Sequence, residues 1–355
     1  MNQQSDSPTR KTLHRRTSSD GFQKMRRTVQ LLFAALNLWL GLQFYLWVRF
    51  YERGGVGLHP ARPDGVEGWL PIAGLMNTRY LLSTGKIPAL HPAAMVLLCT
   101  FVLTSLLLKK AFCSWLCPIG TLSEVLSHIG KKVFGRNFRL PRVLDLPLRG
   151  LKYLLLGLFL FVTSVMSVDA IAGFLSSPYG LIADVKMLNF FRHMSSTALM
   201  VIALLALLSL LVENFWCRYL CPYGALMGLV SLLSPFKIRR KKSACIDCGK
   251  CARHCPAGLA VDALQQIRSA ECMACMECLS ACPADDALRF ALPARESRPG
   301  FSLSPRSFVF VLALLFFAIT LAARLSGHWQ TSLPDATYRE LIPHASELGH
   351  PGMSH

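Results

Sequence analysis

CIDCGKCARHCP at residues 245–256 and CMACMECLSACP at residues 272–283 decide how this chain is read. Each run is C-x2-C-x2-C-x3-C-P, a spacing in which one short loop supplies three thiolates to a [4Fe–4S] cube. The fourth cysteine reaches across to the neighbouring cube. The expectation is one cluster on Cys245, Cys248, Cys251 and Cys282, and a second on Cys272, Cys275, Cys278 and Cys255. Zinc sites set two cysteine pairs across a longer gap, and disulfides need an oxidising compartment, which the topology below denies to this segment. Two such clusters imply single-electron chemistry.

Working outward, the 355 residues are 52% hydrophobic and 16% charged, with mean hydropathy +0.39, which excludes an ordinary soluble domain. Residues 28–48, 151–168 and 195–215 are each long enough to cross a hydrocarbon core. Residues 92–108 and 307–323 sit at the lower limit of about 17 residues. Five transmembrane helices are expected. The first is too long for a signal peptide and no A-x-A-like site follows it. The expected fold class is an α-helical integral membrane protein with an inserted α+β dicluster ferredoxin domain of the bacterial type.

A net charge of +18 suggests nucleic acid until the charges are placed. With a cytosolic N-terminus, Lys and Arg number 7 in residues 1–27, 9 in 109–152 and 13 in 216–306, or 29 together. The other side holds 4 in 51–91, 2 in 173–194 and 2 in 324–355, or 8 together. This is the positive-inside pattern of a multi-pass inner-membrane protein, and no nucleic-acid partner is needed to explain it. The expected parts are a basic cytosolic segment (1–27), a four-helix membrane domain (28–236) and a cytosolic ferredoxin domain (237–295). A fifth helix (307–323) and an external C-terminal tail (324–355) follow. The basic run Arg239, Arg240, Lys241 and Lys242 is expected to rest on anionic lipid or dock an acidic redox partner.

The membrane part contains a repeat. FCSWLCPIGTLSEVLS (112–127) and WCRYLCPYGALMGLVS (216–231) match at seven of sixteen positions, including Cys113/Cys217, Cys117/Cys221, Pro118/Pro222 and Gly120/Gly224. Each copy follows a two-helix hairpin, so the four helices read as a parallel tandem repeat. Cysteines at i and i+4 have Cβ atoms roughly 5–6 Å apart, too far for an undistorted disulfide at about 3.5–4.5 Å. Proline suits the start of the amphipathic segment that follows. Cys117 and Cys221 would then sit at helix N-termini, where the dipole lowers a thiol pKa. Cys113, Cys117, Cys217 and Cys221 are either buried structural thiols or an additional redox or metal site. Cys99 reads as packing.

Two C-x3-C-P elements after successive hairpins, followed by two ferredoxin runs, resemble the NapH family of membrane-bound iron–sulfur proteins over residues 28–290. NosR-type and CcoG-type polyferredoxins are relatives. The resemblance implies an electron-transfer subunit, a possible quinol dehydrogenase component, linking the quinone pool to a partner reductase or dehydrogenase. The alternatives are an accessory polyferredoxin that supplies electrons for metalloenzyme maturation by copper or thiol reduction, and a membrane anchor that recruits a soluble dehydrogenase.

Other candidates are weaker. His91, His128 and His193 lie outside the spans or at their edges, so no pair is placed for an intramembrane haem. Asp169 and Glu213 sit at helix ends, suited to an interfacial position or to accepting a quinol proton. The external loop 51–91, with Trp69, Tyr80 and LPIAGLM at 70–76, is either an interfacial loop or the lining of a quinone pocket. The tail, with His328, His344, His350, Met353 and His355, is expected to be disordered.

Overall fold

Pro92–Leu108 (PAAMVLLCTFVLTSLLL) shows how this sequence builds its helices: proline opens it, where the missing N–H is not needed, and an all-round apolar surface follows. The computed structural model describes residues 21–138, 140–293 and 300–351. The first helix, α1, runs Gly21–Glu52. A 3-10 turn at Asp64–Trp69 leads to α2, Pro71–Thr84, which packs on α3, Pro92–Leu108. Gly74 permits that approach, because a Cβ there would lie 2.9 Å from the Ala94 carbonyl oxygen. Short α4 (Ala111–Trp115) and amphipathic α5 (Pro118–Phe134) precede α6, Arg142–Val165. Then come α7 (Val168–Ser176), α8 (Pro178–Leu181), α9 (Ala183–Arg192) and α10 (Ser196–Leu211). A π-helical turn, Trp216–Leu220, precedes α11, Pro222–Ser231.

The ferredoxin segment follows. Strand β1 (Lys237–Arg240) pairs antiparallel with β2 (Leu288–Ala291), Ile238 opposite Phe290. Between them lie α12 (Lys250–Arg253) and α13 (Glu277–Ser280). The chain ends with α14 (Pro305–Leu325) and α15 (Asp335–Leu341).

The architecture is mostly helical, and helices occupy all five stretches expected to span. Three are long and apolar enough by themselves: Gly21–Glu52, Val143–Val165 and Pro305–Leu325. The bent pair α9 and α10, 81° apart, makes a fourth if taken as one span, and α3 is shorter. The fourth expected stretch, 195–215, stops at Leu211, because Asn214 adopts φ 56° and the chain turns into the π-helical segment.

Residues 21–27, part of the expected basic segment, form the first turns of α1: Phe22 and Arg26 are buried, and Arg26 meets Glu124 and Glu277 at 2.7 Å each. Residues 1–20 lie outside the described residues. One further expectation needs correction: the C-terminal tail is folded. The Tyr338 and Trp47 rings meet edge to face at 4.9 Å, and Lys186 Nζ donates to the carbonyls of Ala345 (2.6 Å) and Leu348 (2.7 Å). Aromatic burial and capped carbonyls hold what composition alone reads as loose.

The molecule therefore has two poles. At one, the ferredoxin segment meets the start of α1, α4 and the start of α14. At the other, the end of α1 packs with loop 53–91, α9 and the tail.

Candidate functional site

The two ferredoxin runs fold alike. Asp247 and Gly249 flank Cys248 with φ 54° and 66°, and Ala274 and Met276 flank Cys275 with φ 51° and 59°. These left-handed residues, three of them not glycine, cost energy wherever nothing compensates. Alternating right- and left-handed backbone makes a concave array of N–H groups, a common cradle for anions and iron–sulfur sites. Helices α12 and α13 then start at equivalent positions in the two runs.

Each fourth cysteine lies near cysteines of the other run. Cys255 lines one small closed cavity with Cys272, Cys275 and Cys278, and Cys251 interacts electrostatically with Cys282. Burial pushes the Cys251, Cys255 and Cys278 thiols up. Among the described residues no three His, Cys, Asp or Glu converge on a point that would hold a single metal ion. The donor set, eight cysteine sulfurs from two matching loops, has the chemistry that iron–sulfur cubes take. The basic run is partly spent on this fold: Arg239 bonds Gln266 at 2.8 Å, and Arg240 bonds Asp247 and the Leu264 carbonyl.

The two C-x3-C-P elements also meet. Pro118 and Pro222 open α5 and α11, with Cys117 and Cys221 as the N-caps, as expected. The amide of Gly224 donates to Cys221 Sγ at 3.3 Å. Gly120 is required, since a Cβ there would overlap the Cys113 carbonyl oxygen. The expected lowering of the Cys117 pKa is overturned. Burial outweighs the N–H bonds and pushes it up to about 11, and pushes Cys113 up to about 12. Every pair among Cys113, Cys117, Cys217 and Cys221 interacts.

All four cysteines line one cavity of about 1060 Å³. It runs between α1, α2, α3, α6 and α14, through Leu40, Leu75, Phe101, Leu155 and Phe316, and ends at Arg62, Asp64, Trp329 and Gln330. The 70–76 stretch is thus helical, and its Pro71, Ile72 and Leu75 line the cavity wall.

The far pole holds a buried ionic cluster that sequence reading missed. Arg62 bonds Asp64 (2.8 Å), Glu67 (2.8 Å) and Asp184 (2.7 Å). His91, fully buried, meets Glu67 at 3.2 Å and the Gly180 carbonyl at 2.9 Å. Burial pushes the Asp64 carboxyl up despite Arg62. These residues come from the 3-10 turn and the residue Arg62 before it, the N-cap of α3 and the first turn of α9, and no local spacing announces them. Asp169, His128 and His193 are exposed, and Glu213 is half-buried. Cys99 is exposed on α3 rather than packed inside. In the tail, His328 is exposed, His344 pairs with Glu347, and the His350 ring rests on Phe174 and Tyr179. Met353 and His355 lie outside the described residues.

Known proteins share these features. The 4Fe-4S binding domain family matches twice, at residues 90–137 and 196–241, one match per C-x3-C-P repeat. The 4Fe-4S dicluster domain family matches residues 237–283. The chain is 51% identical to YccM of Escherichia coli (strain K12), provisionally named an electron transport protein, over 92% of this chain and 91% of that one. It is 28% identical to the ferredoxin-type protein NapH of the same organism, over 61% of this chain and 74% of NapH. It is 32% identical to the regulatory protein NosR of Pseudomonas aeruginosa, over 45% of this chain and 22% of NosR. No solved structure matches.

Proposed function

We propose a function from one premise: the chain belongs to the NapH/NosR-type family of membrane-bound, ferredoxin-like iron–sulfur proteins. The protein exchanges electrons between the quinone pool and a partner redox protein. It is a five-span protein of the cytoplasmic membrane, with the ferredoxin pole in the cytosol and the tail outside. The 29 to 8 division of basic residues supports that orientation. Two [4Fe–4S] clusters, on Cys245, Cys248, Cys251 and Cys282 and on Cys272, Cys275, Cys278 and Cys255, would take up electrons one at a time.

The cavity carries this reading. At about 1060 Å³, walled by aliphatic and aromatic side chains, it has the size and character of a site for a lipophilic ring and part of its tail. Its polar end offers the Trp329 indole N–H, which has no hydrogen-bond partner among the described residues. It also offers Asp64, whose raised pKa suits a proton acceptor. A quinol there releases two electrons and two protons: the electrons leave singly for the clusters, Asp64 at the far pole accepts one proton and hands it to the solvent there, and the second proton passes directly to water at the same end.

The test is quinol-dependent cluster reduction in membrane vesicles. Leu155→Trp, which narrows the cavity, should slow reduction about tenfold, equivalent to about 1.4 kcal/mol, with iron content unchanged. Asp64→Asn should slow turnover without emptying the site. Unchanged quinol-dependent rates in both variants would remove the quinone site from the cavity.

A further inference from the structure

Four cysteines, two from each repeat, face one another across the cavity's end at the ferredoxin pole, and neither repeat alone supplies a complete ligand set. All thirteen cysteines are free of disulfides. The four are half-buried, and the exposure they retain opens into the cavity they line. All six pairs interact electrostatically, so the sulfurs form one group rather than two separate pairs. Four cysteine sulfurs from two successive elements are a donor set of the kind that iron–sulfur clusters take.

The charge around this group points the same way. Lys110 is 2% exposed, lines the cavity and acts on both Cys113 and Cys217. Lys152, fully buried, also acts on Cys113. Both lysines share one carboxylate, Glu271, which Lys152 contacts at 2.7 Å. Two buried ammonium groups against one carboxylate leave an excess positive charge beside neutral thiols. Such a charge is costly to bury unless something negative is nearby. Four thiolates around an iron–sulfur core are net negative. Amide donation to Cys221 Sγ, at 3.3 Å from Gly224, is the kind of hydrogen bond that tunes such centres.

We infer that Cys113, Cys117, Cys217 and Cys221 hold a third iron–sulfur cluster, shared between the two repeats on their pseudo-twofold axis, with Lys110 and Lys152 balancing its charge. Its position fits a relay. The turn carrying Cys113 is bonded directly to the second ferredoxin loop: Ser114 Oγ donates to the Met273 carbonyl at 2.5 Å, and Trp115 Nε1 to the Ala274 carbonyl at 3.0 Å. The cavity opens on its other side. The relay role, in which a quinol's two electrons cross singly to the ferredoxin clusters, rests on the proposed function; the existence of the cluster does not.

The experiment is an iron and acid-labile sulfide count on the full chain purified anaerobically in detergent, with EPR of the reduced protein. The ferredoxin runs account for about 8 irons. The wild type should exceed that by about two, for a [2Fe–2S] centre, or about four, for a [4Fe–4S] centre. Cys113→Ser and Cys217→Ser should each remove the excess and one EPR signal while the ferredoxin signals persist. Cys99→Ser should leave the count intact. A wild-type count of about 8, or an excess unaffected by the Cys113 and Cys217 variants, would overturn the third cluster. Because the wild-type count needs no variant to fold and no quinol, it separates this inference from the quinone reading.

Discussion

At the scale of single residues, Gly120 and Gly224 occupy the same place in the two repeats but do not carry the same burden. A methyl group at 120 would overlap the Cys113 carbonyl, a backbone atom held by α4. At 224 the nearest atoms are the Cys217 carbonyl and Lys110 Nζ, each at 3.5 Å, an ordinary contact. Overpacking against fixed backbone costs about 1–3 kcal/mol. A tolerated glycine-to-alanine change in a helix instead gains about 0.4–1 kcal/mol. Gly120→Ala should therefore lower the thermal midpoint in detergent and Gly224→Ala should hold or raise it. Equal losses from both would mean that the glycine serves the repeat for some reason other than this contact.

At the scale of elements, what was legible was local. The cysteine runs announce their loops because three ligands lie within seven residues, and α3 was readable to the residue because proline opens its apolar run. What was not legible depends on pairs far apart in sequence. Arg26 looks like part of a basic arm until Glu124 and Glu277 arrive from α5 and α13. Glu67 and His91 look like loop residues until α8, through the Gly180 carbonyl, and the tail, through Thr331, close over them. That closure makes the far pole sensitive to pH. Hydrogen bonding to His91 and the charge of Arg62 overcome burial and lower Glu67 to about 2. Glu67 in turn raises His91 against its own burial. The Glu67 contribution is present above its unfolded value of about 4.3 and is lost as pH falls toward about 2. The His91 contribution is complete below about 6.5 and is lost as pH rises through the raised folded value. Amide protection in residues 329–345 should therefore be greatest between about pH 4.5 and 6.5 and decline above it. His91→Ala should flatten that decline. Protection that stays constant to high pH in the wild type would show that His91 is not charged when folded.

At the scale of the whole molecule, α1 and α14 both run from the ferredoxin pole to the pole that holds the tail. Gly21 lies against Pro305 at one end, and a Tyr51 to Asp335 hydrogen bond ties the other. The chain before α14 and the chain after it are thus separated by the length of a 21-residue helix, enough for a core about 30 Å thick. Along the sequence the basic residues divide in the same sense, 29 in the segments 1–27, 109–152 and 216–306 and 8 in 51–91, 173–194 and 324–355. Charge near helix ends sets orientation during insertion, so the two poles should lie in different compartments. Alkaline phosphatase, active only outside the cytosol, should be inactive when fused after residue 295 and active when fused after residue 330. A cytosolic fluorescent reporter should give the reverse. Equal phosphatase activity at both positions would mean that α14 lies along the membrane surface. The cavity could not then reach from one face to the other, and quinol protons taken up by Asp64 would be released on the same side as the electrons.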